Sequence, residues 1–141
     1  MISPCQAIRY VLIDQNLATD SPQDDWRCVL AKLPDGAGVK DNILAVVDVE
    51  GAVGDRYLST GEIITQPKIR ILCRCTSYDA GYAKMMQIAD IVDMVTNYKV
   101  TISSETALLH KVSRSSGIVS AGLDGTMRRY HFSIDYEVFL K

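Results

Sequence analysis

An excess of charge of either sign is missing from this chain: 15 basic residues stand against 17 acidic ones, for a formal net charge of −2. That is too little for a global field that gathers nucleic acid or anionic lipid, so any such contact has to be local. Long apolar runs are missing as well. None approaches the roughly 18 residues of a membrane span, and Met1-Ile2-Ser3-Pro4 has neither the basic nor the apolar region of a secretion signal. The chain is therefore expected in the cytosol, with no membrane partner. Histidine is scarce, with only His110 and His131, well separated in sequence. The four cysteines, Cys5, Cys28, Cys73 and Cys75, do not have the spacing of a zinc site, which leaves about two to four residues between paired ligands, where Cys73 and Cys75 have only Arg74, and needs further ligands nearby. Gly36-Ala37-Gly38 and Gly51-Ala52-Val53-Gly54 depart from the glycine patterns that cradle phosphates and read as turns. No metal and no cofactor is expected, and the thiols read as reduced core residues.

What is present is a globular composition, 48% hydrophobic and 23% charged over 141 residues. A chain of this length buries roughly two-thirds of its unfolded surface in one core. No repeat, low-complexity tract or linker divides it, so residues 1–141 read as a single domain.

The most informative stretch runs from Pro67 to Val95, where a period of two passes into a period of 3.6. Ile69, Ile71, Cys73 and Cys75 fall on one side of a strand, with Lys68, Arg70 and Arg74 on the other. Tyr82, Met85, Ile88, Ala89, Val92 and Val95 then recur every three or four residues, as on the buried face of a helix of about five turns. Met86 and Met94 lie off that stripe and suit either an adaptable apolar contact or partial burial under a loop.

Elsewhere, Ser3, Pro4 and Gln6 form a capping box with proline at the first helical position, predicting a helix whose buried stripe is Ala7, Ile8, Val11 and Leu12. Ala18 to Asp25 has loop composition. Trp26 to Leu33 and Ile43 to Val49 read as two strands expected to pair, with a turn at 34–38. Glu50 to Gln66, with three glycines and no sustained period, reads as a long loop, and a loop of that length in a compact domain is usually mobile or functional. Tyr98 to Ile102 and Ala107 to Val112 are short runs, the second interrupted by His110 and Lys111. Gly117 to Leu123 and Thr126 to Leu140 flank Asp124-Gly125, a dipeptide suited to a two-residue hairpin turn. The sum is an α+β domain, with a mostly antiparallel sheet flanked by two main helices.

Reactive groups do not converge in the sequence. Asp48 and Glu50 share a strand face, which formally allows paired-carboxylate chemistry or cation binding, although a solvated strand end is the plainer reading. A small thiol-dependent enzyme would pair Cys28 or Cys75 with a histidine, yet nothing selects the pair. The basic rows Lys68, Arg70, Arg74 and Arg114, Arg128, Arg129 sit on predicted exposed strand faces. They suit either protection against edge aggregation or a charged contact between chains, where arginine is enriched.

In order along the chain, the capped first helix, the Trp26 strand, the strand "QPKIRILCRC", the helix "YDAGYAKMMQIADIVDMV" and the ending "GLDGTMRRYHFSIDYEVFL" resemble the minor capsid or tail-terminator proteins of tailed bacteriophages. The likeness spans nearly the whole chain. It implies a structural virion protein of the tail or neck, assembled in the host bacterial cytoplasm. Such a protein forms a ring, hexameric in that family, on the head-proximal end of the tail tube and joins it to the head connector. The implied partners are further copies of the chain, the tail tube protein, the head-tail connector protein, and DNA that passes through the lumen without specific binding. A neck or head-completion protein that binds the connector is the nearest alternative. The contact residues expected from charge and predicted exposure are Asp55, Arg56, Arg70, Arg74, Arg114, Arg128 and Arg129.

Overall fold

The computed structural model describes residues 2–30, 33, 40–56, 63–123 and 128–140, and for residues 50–56 and 63–66 the backbone alone. The elements follow the order α1 (Pro4–Asp14), β1 (Arg27–Leu30), β2 (Ile43–Arg56), β3 (Ile63–Cys75), α2 (Tyr78–Val92), β4 (Thr96–Ile102), β5 (Glu105–Arg114), β6 (Val119–Leu123) and β7 (Tyr130–Leu140). One seven-stranded sheet, ordered β1-β2-β3-β7-β5-β4 with β6 also on β7, forms the frame of an α+β fold.

α1 begins as its sequence requires. The Gln6 N–H donates to Ser3 Oγ at 3.2 Å and the Ser3 N–H donates to Gln6 Oε1 at 2.8 Å, so two amides that the first turn leaves without helical partners are satisfied. It ends on Asn16 at φ +60°, where the Leu17 N–H reaches back to the Leu12 carbonyl at 2.9 Å. That closes a Schellman motif with asparagine in place of glycine, and it brings buried Leu17 back over buried Leu12.

β3 and β7 make the centre. Their register sets Ile69 against Tyr136, Ile71 against Ile134, Cys73 against Phe132 and Cys75 against Tyr130, all on the face that the helices cover. Ala7, Ile8, Val11 and Leu12 from α1 and Met85, Ile88, Ala89 and Val92 from α2 complete this core. Gly81 lets α2 approach closely, since a Cβ there would lie 2.2 Å from Cys75 Sγ and 2.8 Å from the Phe132 ring. The Tyr98 phenol donates to the Asp14 carboxylate at the end of α1, while the Arg9 Nε of the same helix donates to the Cys28 carbonyl at 2.9 Å. The sheet thus curls until both of its outer strands, β1 and β4, reach α1.

Several expectations need correcting. The stretch from Glu50 to Gln66 is not a loop throughout, because β2 runs on to Arg56 and β3 starts at Ile63. The register shifts between Val49 and Ala52 and between Val53 and Arg56, at Gly51 and Gly54. Bulges at these glycines absorb the residues that break the alternation; residues 57–62 lie outside the described ones. β1 and β2 do pair, but in parallel, and the turn expected at 34–38 lies outside the described residues. α2 stops at Val92, about a turn early, and Val95 is buried beyond it. Tyr82, placed on the buried stripe by period, is 42% exposed. The interrupted run Ala107 to Val112 is part of β5, joined to β4 by Ser103 and Ser104, both at positive φ as a two-residue primed turn needs. Asp124-Gly125 lies outside the described residues, although the strands that it separates pair as expected.

Candidate functional site

The seven residues expected at a contact surface do not form one patch. On the sheet face away from the helices, Arg70 of β3 meets its direct register partner Asp135 of β7. Its Nε lies 2.7 Å from Oδ1 and its Nη2 3.1 Å from Oδ2. The hydrogen bonds and charge of Asp135 raise the arginine's already high pKa. One step along, Lys68 lies 4.0 Å from Glu137, again its register partner. Two of the three basic residues of that β3 row, Lys68 and Arg70, are thus matched by acids of β7, a cross-strand arrangement that stabilises the pairing, while Arg74 stands opposite His131. The signal was available in the polar residues 135 and 137 of the last strand.

Arg74 and Arg129 are not exposed. They are 3% and 4% accessible, which corrects their placement on a solvent face. Arg74 donates from Nη2 to the Lys40 carbonyl at 3.3 Å and from Nε towards the Asp41 carbonyl at 3.5 Å. Arg129 Nη1 lies 3.6 Å from Asp41 Oδ1. Both guanidinium groups gather on the chain segment that enters β2 and fix that end of the sheet, as planar five-donor groups can. Arg114, at the end of β5, forms a two-pronged pair with Asp93, just past α2. Arg128 is exposed and sits at φ +52°, immediately before the buried Arg129. Asp55 and Arg56 end β2, where Arg56 stands opposite Ile63 in register. The seven are distributed over four regions: the sheet face with Arg70, the β2 tip with Asp55 and Arg56, the junction of the β2 entry and the start of β7 with Arg74, Arg128 and Arg129, and the end of β5 with Arg114.

The thiols are core groups. Cys5, Cys28, Cys73 and Cys75 are buried and free. Burial pushes the Cys28 thiol up to about 12. Cys5 is also pushed up to about 12, by burial and then by its hydrogen bond to Asp48 Oδ1 at 3.1 Å. Cys73, hydrogen-bonded to Cys75 and buried, is raised further. A raised thiol is a poor nucleophile at neutral pH; Cys75 alone is shifted down, by its hydrogen bond with Cys73. The register puts Cys75 opposite Tyr130 on the helix side, so the neighbouring residue His131 points to the other face. His110 is exposed and bonds Asn97 Oδ1 at 2.9 Å. Neither histidine meets Cys28 or Cys75, and among the described residues no group of three or more histidine, cysteine or carboxylate side chains could hold a metal ion.

The apolar surface was less visible in the sequence. Tyr78, Tyr82 and Met86, spaced four apart on one flank of α2, are each more than 40% exposed. Tyr78 and Tyr82 stack with ring centres 6.1 Å apart and both lean on Phe132. Beside them β6 is exposed at all five positions and carries no charge. On β1, Leu30 is 39% exposed and borders two grooves of about 550 and 320 Å3, the smaller of which lies between α1, β1 and β4. Met94 is 81% exposed and Met86 42%, as their positions off the helix stripe predicted.

A family described as "Bacteriophage tail terminator protein" matches residues 11–138 of the chain. No curated protein matches it.

Proposed function

The chain belongs to the bacteriophage tail terminator family and is a structural component of the virion, and from that premise we propose that its copies close into a ring that ends the tail tube. The ring is hexameric. It sits on the head-proximal end of the tube, stops further tube subunits from adding, and offers its other surface to the head-tail connector protein. Assembly takes place in the host cytoplasm. DNA passes through the lumen without specific binding, for which a net charge of −2 is suitable because a basic wall would hold phosphates.

The match over residues 11–138 carries this reading, and the surface chemistry supports it. Ring closure by identical copies needs two unlike faces on opposite sides of each copy. Two exposed regions of the fold are unlike: the grooves beside Leu30, between α1, β1 and β4, and β6 with the α2 tyrosines. Asp55, Arg56 and Arg128 are placed at ends of strands, where they suit contacts with the tube or the connector. Arg70 and Arg114 are already paired within the chain and help to keep the faces rigid.

Mixing the purified protein with growing tail tubes and, separately, with filled heads tests the proposal. Tubes should stop lengthening and show one cap at one end, with no binding to heads that lack tails. Binding to heads alone, with tubes still growing, would replace this reading with a neck protein that docks on the connector.

A further inference from the structure

β2 and β3 outrun the strands beside them. β1 pairs with β2 only from Ile43 to Val46, and β7 pairs with β3 only from Lys68 to Cys75. Past those limits, among the described residues, the two strands pair only with each other, through Ala52 with Gln66 and Val53 with Thr65 to Arg56 with Ile63. The sequence accounts for the parting. Pro67 stands next to the last pair with β7, Lys68 with Glu137, and has no N–H with which to extend that ladder. The register shifts on either side of Ala52 and Val53 add twist to β2. From Lys68 to Ile63 this two-stranded arm extends about 17 Å at a strand's rise of about 3.4 Å per residue. Two strands alone are marginally stable in water and gain from a further surface.

Residues 50–66 hold Glu50, Asp55 and Glu62 against Arg56, a sum of −2. The outer face of the sheet over β4, β5 and the end of β7 has the opposite sign. Tyr98, Val100, Leu109, Val112 and Val138 of these strands belong to the core, so Lys99, Leu108, Lys111 and Phe139 alternate to the outside. The register sets Lys99 against Leu108 and Lys111 against Phe139. Lys99 and Lys111 are exposed, and among the described residues neither forms an ion pair with a carboxylate. Glu137, the nearest acid along β7, lies 4.0 Å from Lys68 on its other side. Leu108 and Phe139 are partly buried and stand outside the core cluster. Phe139 is the one apolar residue in an outward row that otherwise reads His131, Ser133, Asp135 and Glu137. This face is about 10 Å across from β7 to β4 at a strand spacing of about 4.8 Å, a width that the arm can span.

We propose that the β2–β3 arm of one copy lies across the outer face of β4, β5 and β7 on the next copy, over Leu108 and Phe139 and between Lys99 and Lys111. This rests on the ring reading above and assigns its subunit contact. Charge selects a second copy as the occupant: an arm of −2 meets a face with two lysines that no described carboxylate neutralises. Arm and face are unlike, so each copy gives one half of the contact and receives the other, as a closing ring requires. Asp55 and Arg56 thereby go to the contact between copies, which leaves Arg128 for the tube or the connector.

Charge reversal on each half, with the wild-type chain as reference, tests the assignment. One variant carries Glu50→Lys with Asp55→Lys, the other Lys99→Glu with Lys111→Glu. Far-UV circular dichroism and melting temperature should stay near wild type for both; Lys99→Glu alone stands in if the pair perturbs folding. Each variant by itself should need roughly a 10- to 100-fold higher concentration to assemble, since like charges then face each other. An equimolar mixture should recover the wild-type concentration dependence with the two chains alternating, which a hexamer accommodates. In the mixture the basic arm of the first variant meets the acidic face of the second, and the second's acidic arm meets the first's basic face. Either variant assembling as wild type does, or a mixture that assembles no better than its components, would overturn the assignment and leave the tail-terminator reading standing. A wild-type chain that stays single at every concentration would overturn it too, and tube capping would then report on the family reading separately. An arm variant that forms normal rings but no longer caps tubes would give the arm to the tube protein instead.

Discussion

The β3–β7 seam and the β6 edge lie within two strands of each other and are built on opposite principles. On the seam, each outward charge of β3 between Lys68 and Arg70 faces an acid of β7 in register, and each inward residue is covered by a helix. On β6 no residue is charged and all five are exposed. The seam is finished within the chain. The edge is left uncovered by the described residues, and that difference separates the part of the molecule that sets the fold from a part left open at its surface.

The contrast breaks most sharply in the core. Ile134→Ala removes a fully buried side chain beneath α2, and the lost transfer energy plus the cavity should lower unfolding free energy by about 2–5 kcal/mol in urea titration. Alkaline pH attacks the same region. Cys28, pushed up to about 12 by burial, binds its proton more tightly folded than unfolded. Its contribution is therefore fully present below about pH 9 and is lost as pH rises towards 12, by about 1.4 kcal/mol per pH unit in that window. Melting temperature should fall over that range, and Cys28→Ala should flatten the fall.

Gly81→Ala sharpens the comparison on the helix side. The added methyl meets Cys75 Sγ and the Phe132 ring, and overpacking of this kind costs about 1–3 kcal/mol, against which the better helix propensity returns about 1 kcal/mol. A net loss of stability is expected. A smaller effect is expected on the sheet's outer face, where a double-mutant cycle on Arg70→Ala and Asp135→Ala should return a coupling of about 0.5–1 kcal/mol that shrinks with added salt.

The fold was legible wherever one period dominated. Ser3, Pro4 and Gln6 announce α1 because capping chemistry is local, and β7 announces itself because alternation persists from Tyr130 to Leu140. The extension of β2 to Arg56 was hidden since the bulges at Gly51 and Gly54 shift the period each time it is about to establish itself. The turn between β4 and β5 was hidden because two serines adopt φ angles usually left to asparagine and glycine. The site was harder to read. An arginine on the polar row of a strand looks the same in sequence whether it reaches solvent, as Arg128 does, pairs with a register partner, as Arg70 does, or is drawn under the segment entering β2, as Arg74 and Arg129 are. The tyrosine and methionine flank of α2 was masked for a similar reason: Tyr82 keeps the helical period of the core, and only the lateral position of α2 over β3 and β7 leaves it half uncovered.

Light scattering of the wild-type chain over a wide concentration range, with negative-stain images of the same samples, tests most directly whether this molecule works through unlike faces that close on themselves. The account predicts a single plateau at a fixed whole number of chains and circular particles of uniform diameter. A mass that climbs without limit into filaments, or one that never exceeds a single chain even with tail tubes present, would contradict it.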